Sequence, residues 1–295
     1  MNQKRSDTLP ENIWIKVGFL VGAFVFAYAK VMPLLVRTWS RDDYSHGWLV
    51  PIIALYFIWG DRKKVRNLPI QPNIFWGLLL TLFGSLMLMI GNIGSVAIVQ
   101  ELSLIIIIPG LILMLLGTRY LMALALPVTY LILMVPILDE VIDKIHWPFQ
   151  LFSAAMGSTL LKFFDIPFFL QANYFELPNM TLEVAEECSG VRYLISIIAI
   201  GIPLAHFTQR GWWLKITLVI TSVIIGILSN GVRVSFVVLC AYYYGKNNIQ
   251  GPLHMFQGLF VSIVGYIFLF ISAWLLYKIS LSKVELSHKK SHGRG

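Results

Sequence analysis

The chain has 295 residues, of which 57% are hydrophobic and only 13% charged, with a formal charge of +8 and a pI near 9.5. Charge this sparse cannot coat a soluble globule, in which roughly a quarter of the residues would be charged, so lipid must face much of the surface. The basic excess does not point to nucleic acid, because the lysines and arginines fall mainly in short breaks between long apolar runs.

A helix that crosses the hydrocarbon core needs about 20 apolar residues, and an isolated strand cannot satisfy its backbone in lipid. The predicted fold is therefore all-α: a polytopic integral membrane protein of about eight transmembrane helices, with interfacial helices on the outer face. The spans are read at 13–36, 47–60, 74–91, 98–117, 120–138, 191–207, 213–230 and 254–277. The first run is too long for a signal-peptide core and reads as a retained span. The second is short, covering about 21 Å at 1.5 Å per residue. The preceding Asp43-Tyr44-Ser45-His46-Gly47-Trp48 is therefore expected at or just below the outer surface. Segment 139–190 carries mixed aromatic and charged residues (Trp147, Phe149, Phe152, Lys162), which suits the interface, and then a less helical stretch from Asn173 to Glu183. The seventh span is expected to end at Asn230-Gly231-Val232-Arg233, leaving 234–244 to lie along the outer interface. No internal repeat is visible, so the chain reads as one integral membrane domain with a basic tail at 278–295.

Loop charge orients these spans. With the N-terminus in the cytoplasm, the inner side holds Lys4, Arg5, Arg62, Lys63, Lys64, Arg66, Arg119, Arg210 and the tail. The outer side holds most of the acids, among them Asp42, Asp43, Asp139, Glu140, Asp143, Asp165, Glu176, Glu183, Glu186 and Glu187. That is the positive-inside pattern, with both termini cytoplasmic.

Three residue types carry candidate chemistry. Cys188 falls just before the sixth span, at its outer N-terminal end, where a helix dipole and unpaired N–H groups favour a thiolate. Arg192 lies four residues further on, one turn deeper on the same face. Arg233 interrupts an apolar run, which is expensive without a partner or a task. His254 starts the last span at the outer face and His46 is a second histidine there, and histidine is the usual acid and base near neutral pH. Each also fits a bland role: a buried apolar thiol, a snorkelling arginine, a histidine bonded to backbone. Cys240 has only apolar and aromatic neighbours and carries no such signal. The topology brings Cys188, Arg233 and His254 to one side at similar depth, which are the parts of a thiol acyl-transfer site. A metal held by Cys188, His46, His254 and Glu187 is the other chemistry these types allow, but no short ligand spacing supports it.

At these residues the sequence resembles the exosortase/archaeosortase family of membrane-embedded cysteine transpeptidases. The matching pieces are Tyr44-Ser45-His46-Gly47-Trp48-Leu49-Val50-Pro51, Glu187-Cys188-Ser189-Gly190-Val191-Arg192, Asn230-Gly231-Val232-Arg233, and Gly251-Pro252-Leu253-His254. The resemblance implies Cys188 as nucleophile, Arg233 as stabiliser of the reacting carbonyl or thiolate, and His254 as acid and base. Arg192, His46, Tyr44, Ser189 and Asn230 are then supporting or substrate-binding residues. It implies partners too: exported proteins ending in a sorting tail (a Pro-Glu-Pro-type motif, a transmembrane helix and a basic cluster), and a lipid or glycan acceptor at the cell surface. No cofactor, metal or nucleic acid is implied. The expected location is the bacterial inner membrane, with the site on the periplasmic face and membrane lipids around it. The alternative class is a polytopic transporter or lipid carrier using Arg233 to bind an anionic group. That class predicts charged residues near mid-membrane and repeated halves.

Overall fold

In the computed structural model, residues 18, 22–137, 139–185, 188–245 and 252–292 are described, and the side chains of 42, 43, 140, 141, 192, 252–258 and 282–292 fall outside that description. In chain order the elements are α1 (Val31–Trp39), a 3-10 turn (Asp42–Trp48), α2 (Leu49–Gly60), α3 (Arg62–Arg66), α4 (Ile74–Gly94), α5 (Ala97–Leu115), α6 (Thr118–Ala123), α7 (Ala125–Tyr130) and α8 (Asp139–Leu161). Strands β1 (Phe169–Gln171), β2 (Tyr174–Leu177) and β3 (Met180–Glu183) follow, then α9 (Val191–Thr208), α10 (Trp212–Tyr244) and α11 (Pro252–His292).

The protein is mostly helical. Among the described residues, Ile74–Gly94, Ala97–Leu115, Trp212–Tyr244 and Leu259–Leu281 are long and apolar enough to cross a membrane, and Ala125–Met134 and Tyr193–Thr208 are shorter apolar helices. These four do not by themselves make up the expected eight. The run at 13–36 lies partly outside the described residues, and α2 is as short as its sequence suggested, with 12 residues. The run at 120–138 is not one helix. Pro127 lacks an N–H and its ring crowds the carbonyl four residues back, at Ala123, where α6 ends.

The chain divides into two compact units, Met1–Arg41 with Arg62–Val135, and Asp42–Asp61 with Pro136–Gly295. The first is built on the α4–α5 hairpin. Gly77, Gly84 and Gly91 recur every seven residues on α4, facing α5. A Cβ at Gly84 would lie 2.5 Å from Ile107 Cγ1, so only glycine allows this approach. The opposite side of α4 exposes Leu79, Leu82, Phe83, Leu86 and Ile90, as a lipid-facing helix should. At one end of this unit the Gln71 N–H donates to the Leu116 carbonyl (3.2 Å) and Tyr120 Oη to the Leu68 carbonyl (3.0 Å), which groups the Arg62–Arg66 helix with α6, which carries Arg119. Away from that end, Thr38 Oγ1 donates to the buried Glu101 carboxylate (3.0 Å) and Trp39 Nε1 to the Met134 carbonyl (2.9 Å).

The second unit packs α10 against α8, α9 and α11. Two expectations are corrected here. First, α10 runs unbroken from Trp212 to Tyr244, so 234–244 continues the helix instead of turning along the interface. Asn230-Gly231 is a close-packing patch: a Cβ on Gly231 would meet the Met156 side chain at 2.9 Å, and one on Gly157 would meet Val234 at 2.8 Å. With 33 residues the helix is about 50 Å long, more than the ~30 Å hydrocarbon thickness, so its last turns extend beyond it. Second, the fold is not purely α. An antiparallel sheet of order β1-β2-β3 occupies 169–183, pairing Phe175 with Leu170 and with Leu182. Alternation explains it: Phe175 and Leu177 point inward while Tyr174 and Glu176 are exposed. The inward side chains join Ala154, Leu161, Val234, Val238, Ala241 and Cys188 in one apolar cluster. The sheet thus caps the protruding ends of α8 and α10, with Cys188 beneath it.

Candidate active site

Cys188 sits in a tight turn immediately before α9, its N–H donating to the Ala185 carbonyl (2.9 Å). Only 6% of the residue is exposed. Its carbonyl accepts from Asn230 Nδ2 on α10 at 2.8 Å. The same nitrogen donates to Ser153 Oγ on α8 (2.7 Å), and Ser153 Oγ donates to the Ser189 carbonyl (3.1 Å). Two successive carbonyls of the turn are therefore held by side chains from two other helices. Gly190 ends the turn at φ +86°, and a Cβ there would lie 2.4 Å from Asn230 Cγ. Only glycine allows both the left-handed backbone and the approach of Asn230.

Arg233 is half-buried on α10, three residues past Asn230 and thus about 4.5 Å further along the helix. Tyr44 and His46 are buried, with ring centroids 5.8 Å apart. Their turn packs against α9, as does α2. At the far end of α9, Phe207 stacks on Phe57 (5.2 Å) and His206 Nε2 lies 3.8 Å from Asp61 Oδ2. The C-terminal ends of α2 and α9 therefore meet, which places His46 at the Cys188 end of this unit. Arg192 is the second residue of α9, but its side chain lies outside the described residues. His254 is the third residue of α11, and its side chain is likewise outside them.

Depth follows from helix length. The 18 residues of α9 span about 27 Å, nearly the hydrocarbon thickness, between Cys188 and the Gln209-Arg210 loop. Asn230 lies about 27 Å from the start of α10 by the same rise. Cys188 and Asn230 therefore sit near one boundary of the apolar layer.

Sequence reading overlooked two residues of this cluster, Ser153 and His146. His146, on α8, is 7% exposed and its Nδ1 lies 2.7 Å from Ser189 Oγ. A signal was present: His146, Gln150, Ser153 and Gly157 recur at helical spacing on one face of α8, all buried. A small cleft of about 10 Å³, close to the room one water needs, lies beside the turn, lined among others by Phe152, Ser153, Ser189, Leu194, Ile227 and Asn230. Asn230 Oδ1 is buried with no hydrogen-bond partner, so it can accept from an N–H or O–H of an incoming group. Among the described residues no group of three or more His, Cys, Asp or Glu comes together as a metal site.

A comparison with family models matches residues 39–278 to the family described as Transmembrane exosortase (Exosortase_EpsH). The match covers most of the chain and includes every site residue from Tyr44 to His254. No curated protein and no solved structure matches the chain.

Proposed function

The chain belongs to the transmembrane exosortase family, membrane cysteine transpeptidases that act on exported proteins with sorting signals, and we propose that it removes C-terminal sorting tails by thiol chemistry at Cys188. The substrate's tail helix enters from the bilayer and presents its motif at the outer boundary of the apolar layer. The Cys188 thiolate adds to the scissile carbonyl carbon. The C–N bond then breaks as His254 gives its proton to the leaving amine, which frees the tail and leaves a thioester on Sγ. A hydroxyl or amine of the surface acceptor, or water, next gives its proton to His254 as it adds to the thioester, and the C–S bond breaks to restore the thiolate. Arg233 supplies positive charge to the thiolate and to the oxyanion formed in each step.

One observation carries this reading: Cys188 is held at the N-terminal end of α9, where the dipole favours a thiolate, by the helix that also bears Arg233. The depth of the turn suits a scissile bond adjacent to a membrane anchor. The test is an exported reporter ending in motif, helix and basic cluster, expressed with the full-length protein. Cys188→Ala should leave the protein in the membrane and abolish tail removal. Normal processing by that variant would remove the thiol from the mechanism.

A further inference from the structure

His146 has no step in the reaction above, yet its imidazole is buried, only 7% exposed. Burying an imidazole is costly unless it is hydrogen-bonded, and the partner the fold provides is Ser189, the residue after Cys188 (2.7 Å). Ser189 Oγ also accepts, at 3.4 Å, from the Val191 N–H in the first turn of α9. The Ser189 carbonyl takes Ser153 Oγ, and Ser153 takes the Asn230 amide that also holds the Cys188 carbonyl. Residues 188–190 are thus gripped from α8 at two points seven residues apart and from α10 at one. The carbonyls of 188 and 189 are fixed by Asn230 and Ser153, and Gly190 is fixed by its backbone conformation. The Ser189 side chain is held in its turn by the Val191 N–H and, more closely, by His146.

We infer that His146 is a positioning residue of the thiol site, acting through Ser189 to set the direction in which Cys188 presents its sulfur. The inference rests on Cys188 being the nucleophile. A nucleophile displaced by about 1 Å can lose some 10²-fold in rate, so a turn held this way governs turnover. A histidine that merely fills space would govern the amount of folded protein instead. The two roles separate experimentally.

The test compares full-length His146→Asn, His146→Gln, His146→Phe, Ser189→Ala and the His146→Gln/Ser189→Ala double variant in membranes, with Cys188→Ala alongside. Membrane level, kcat and KM are read on a tail-bearing substrate. Asparagine places an amide atom where Nδ1 stands and can keep the bond to Ser189. Glutamine places it nearer Nε2, and phenylalanine keeps only the volume. The expected result is a kcat lowered about 10²-fold in the Gln, Phe and Ser189→Ala variants, with KM and membrane level unchanged. Asparagine should restore kcat to within about threefold, and the double variant should be no slower than its slower parent, because the two residues act as one unit. Wild-type kcat in His146→Gln and His146→Phe, multiplying effects in the double variant, an Asn variant as slow as Phe, or a loss confined to membrane level would each overturn the inference. Cleavage by Cys188→Ala would instead overturn the nucleophile reading itself. An inactive Cys188→Ala beside a fully active His146→Gln would sink only the role given to His146.

Discussion

Gly190→Ala is the smallest change that strikes the turn without touching a reactive group. At φ +86° an alanine costs about 1–2 kcal/mol from the left-handed backbone alone. Its Cβ would also lie 2.4 Å from Asn230 Cγ and 2.6 Å from Asn230 Nδ2, so the amide must withdraw. Withdrawal breaks the bonds to the Cys188 carbonyl and Ser153 Oγ, and a buried polar group left unsatisfied costs about 1–3 kcal/mol. Even a combined loss of about 2 kcal/mol leaves roughly 30-fold fewer molecules with the thiol in place. Tail removal per folded molecule, normalised to the protein recovered in the membrane, is the quantity to measure. It should fall by that factor or more. Asn230→Ala should cause a similar fall, and combining it with Gly190→Ala should add no more than the backbone cost of about 1–2 kcal/mol, since the clash is then gone. Wild-type turnover in Gly190→Ala would refute the claim that the Asn230 tether sets the thiol.

Other substitutions test separate parts of the account. Arg233→Lys keeps the charge but not the planar fork, so processing should drop at least ~10-fold with membrane level preserved; full activity would reduce Arg233 to a point charge. His254→Ala should stop turnover, and if an assay of tail removal finds it intact, His46, at the Cys188 end of its unit, becomes the first alternative base. Gly84→Val forces side-chain atoms into Ile107 on the α4–α5 seam and should cost about 1–3 kcal/mol, seen as a lower melting temperature in detergent; an unchanged melt would mean the hairpin is looser than its geometry implies.

Much of this architecture can be read from the residues, and the failures have physical causes. The runs behind α4 and α5 are long, apolar and bounded by polar breaks, so length and hydropathy suffice. The shortness of α2 is visible for the same reason. Asn230-Gly231 misleads because the pair that signals a turn in water signals close helix packing here. Met156 and Gly157 supply the opposing surface, and no local pattern around Asn230 announces them. The sheet at 169–183 is hidden by its brevity, three strands of three or four residues in a chain otherwise scaled to helices. His146 bonds a residue 43 positions away, so sequence can mark its buried face but not its partner. Cys188, Arg233 and His254 stand out because each is chemically anomalous in its surroundings. Ser189 and Asn230 are ordinary residues whose work depends on who faces them.

The central claim is a covalent one, and its most direct measurement is capture of the intermediate. Full-length protein in membranes, incubated with a tail-bearing substrate and quenched in acid, should yield a peptide spanning Cys188 that carries the substrate's new C-terminus. That adduct should be cleaved by hydroxylamine, and it should be absent from Cys188→Ala while present, and longer-lived, when acceptor is withheld. Tail release without any adduct on Cys188, or an adduct found on another residue, would contradict the account.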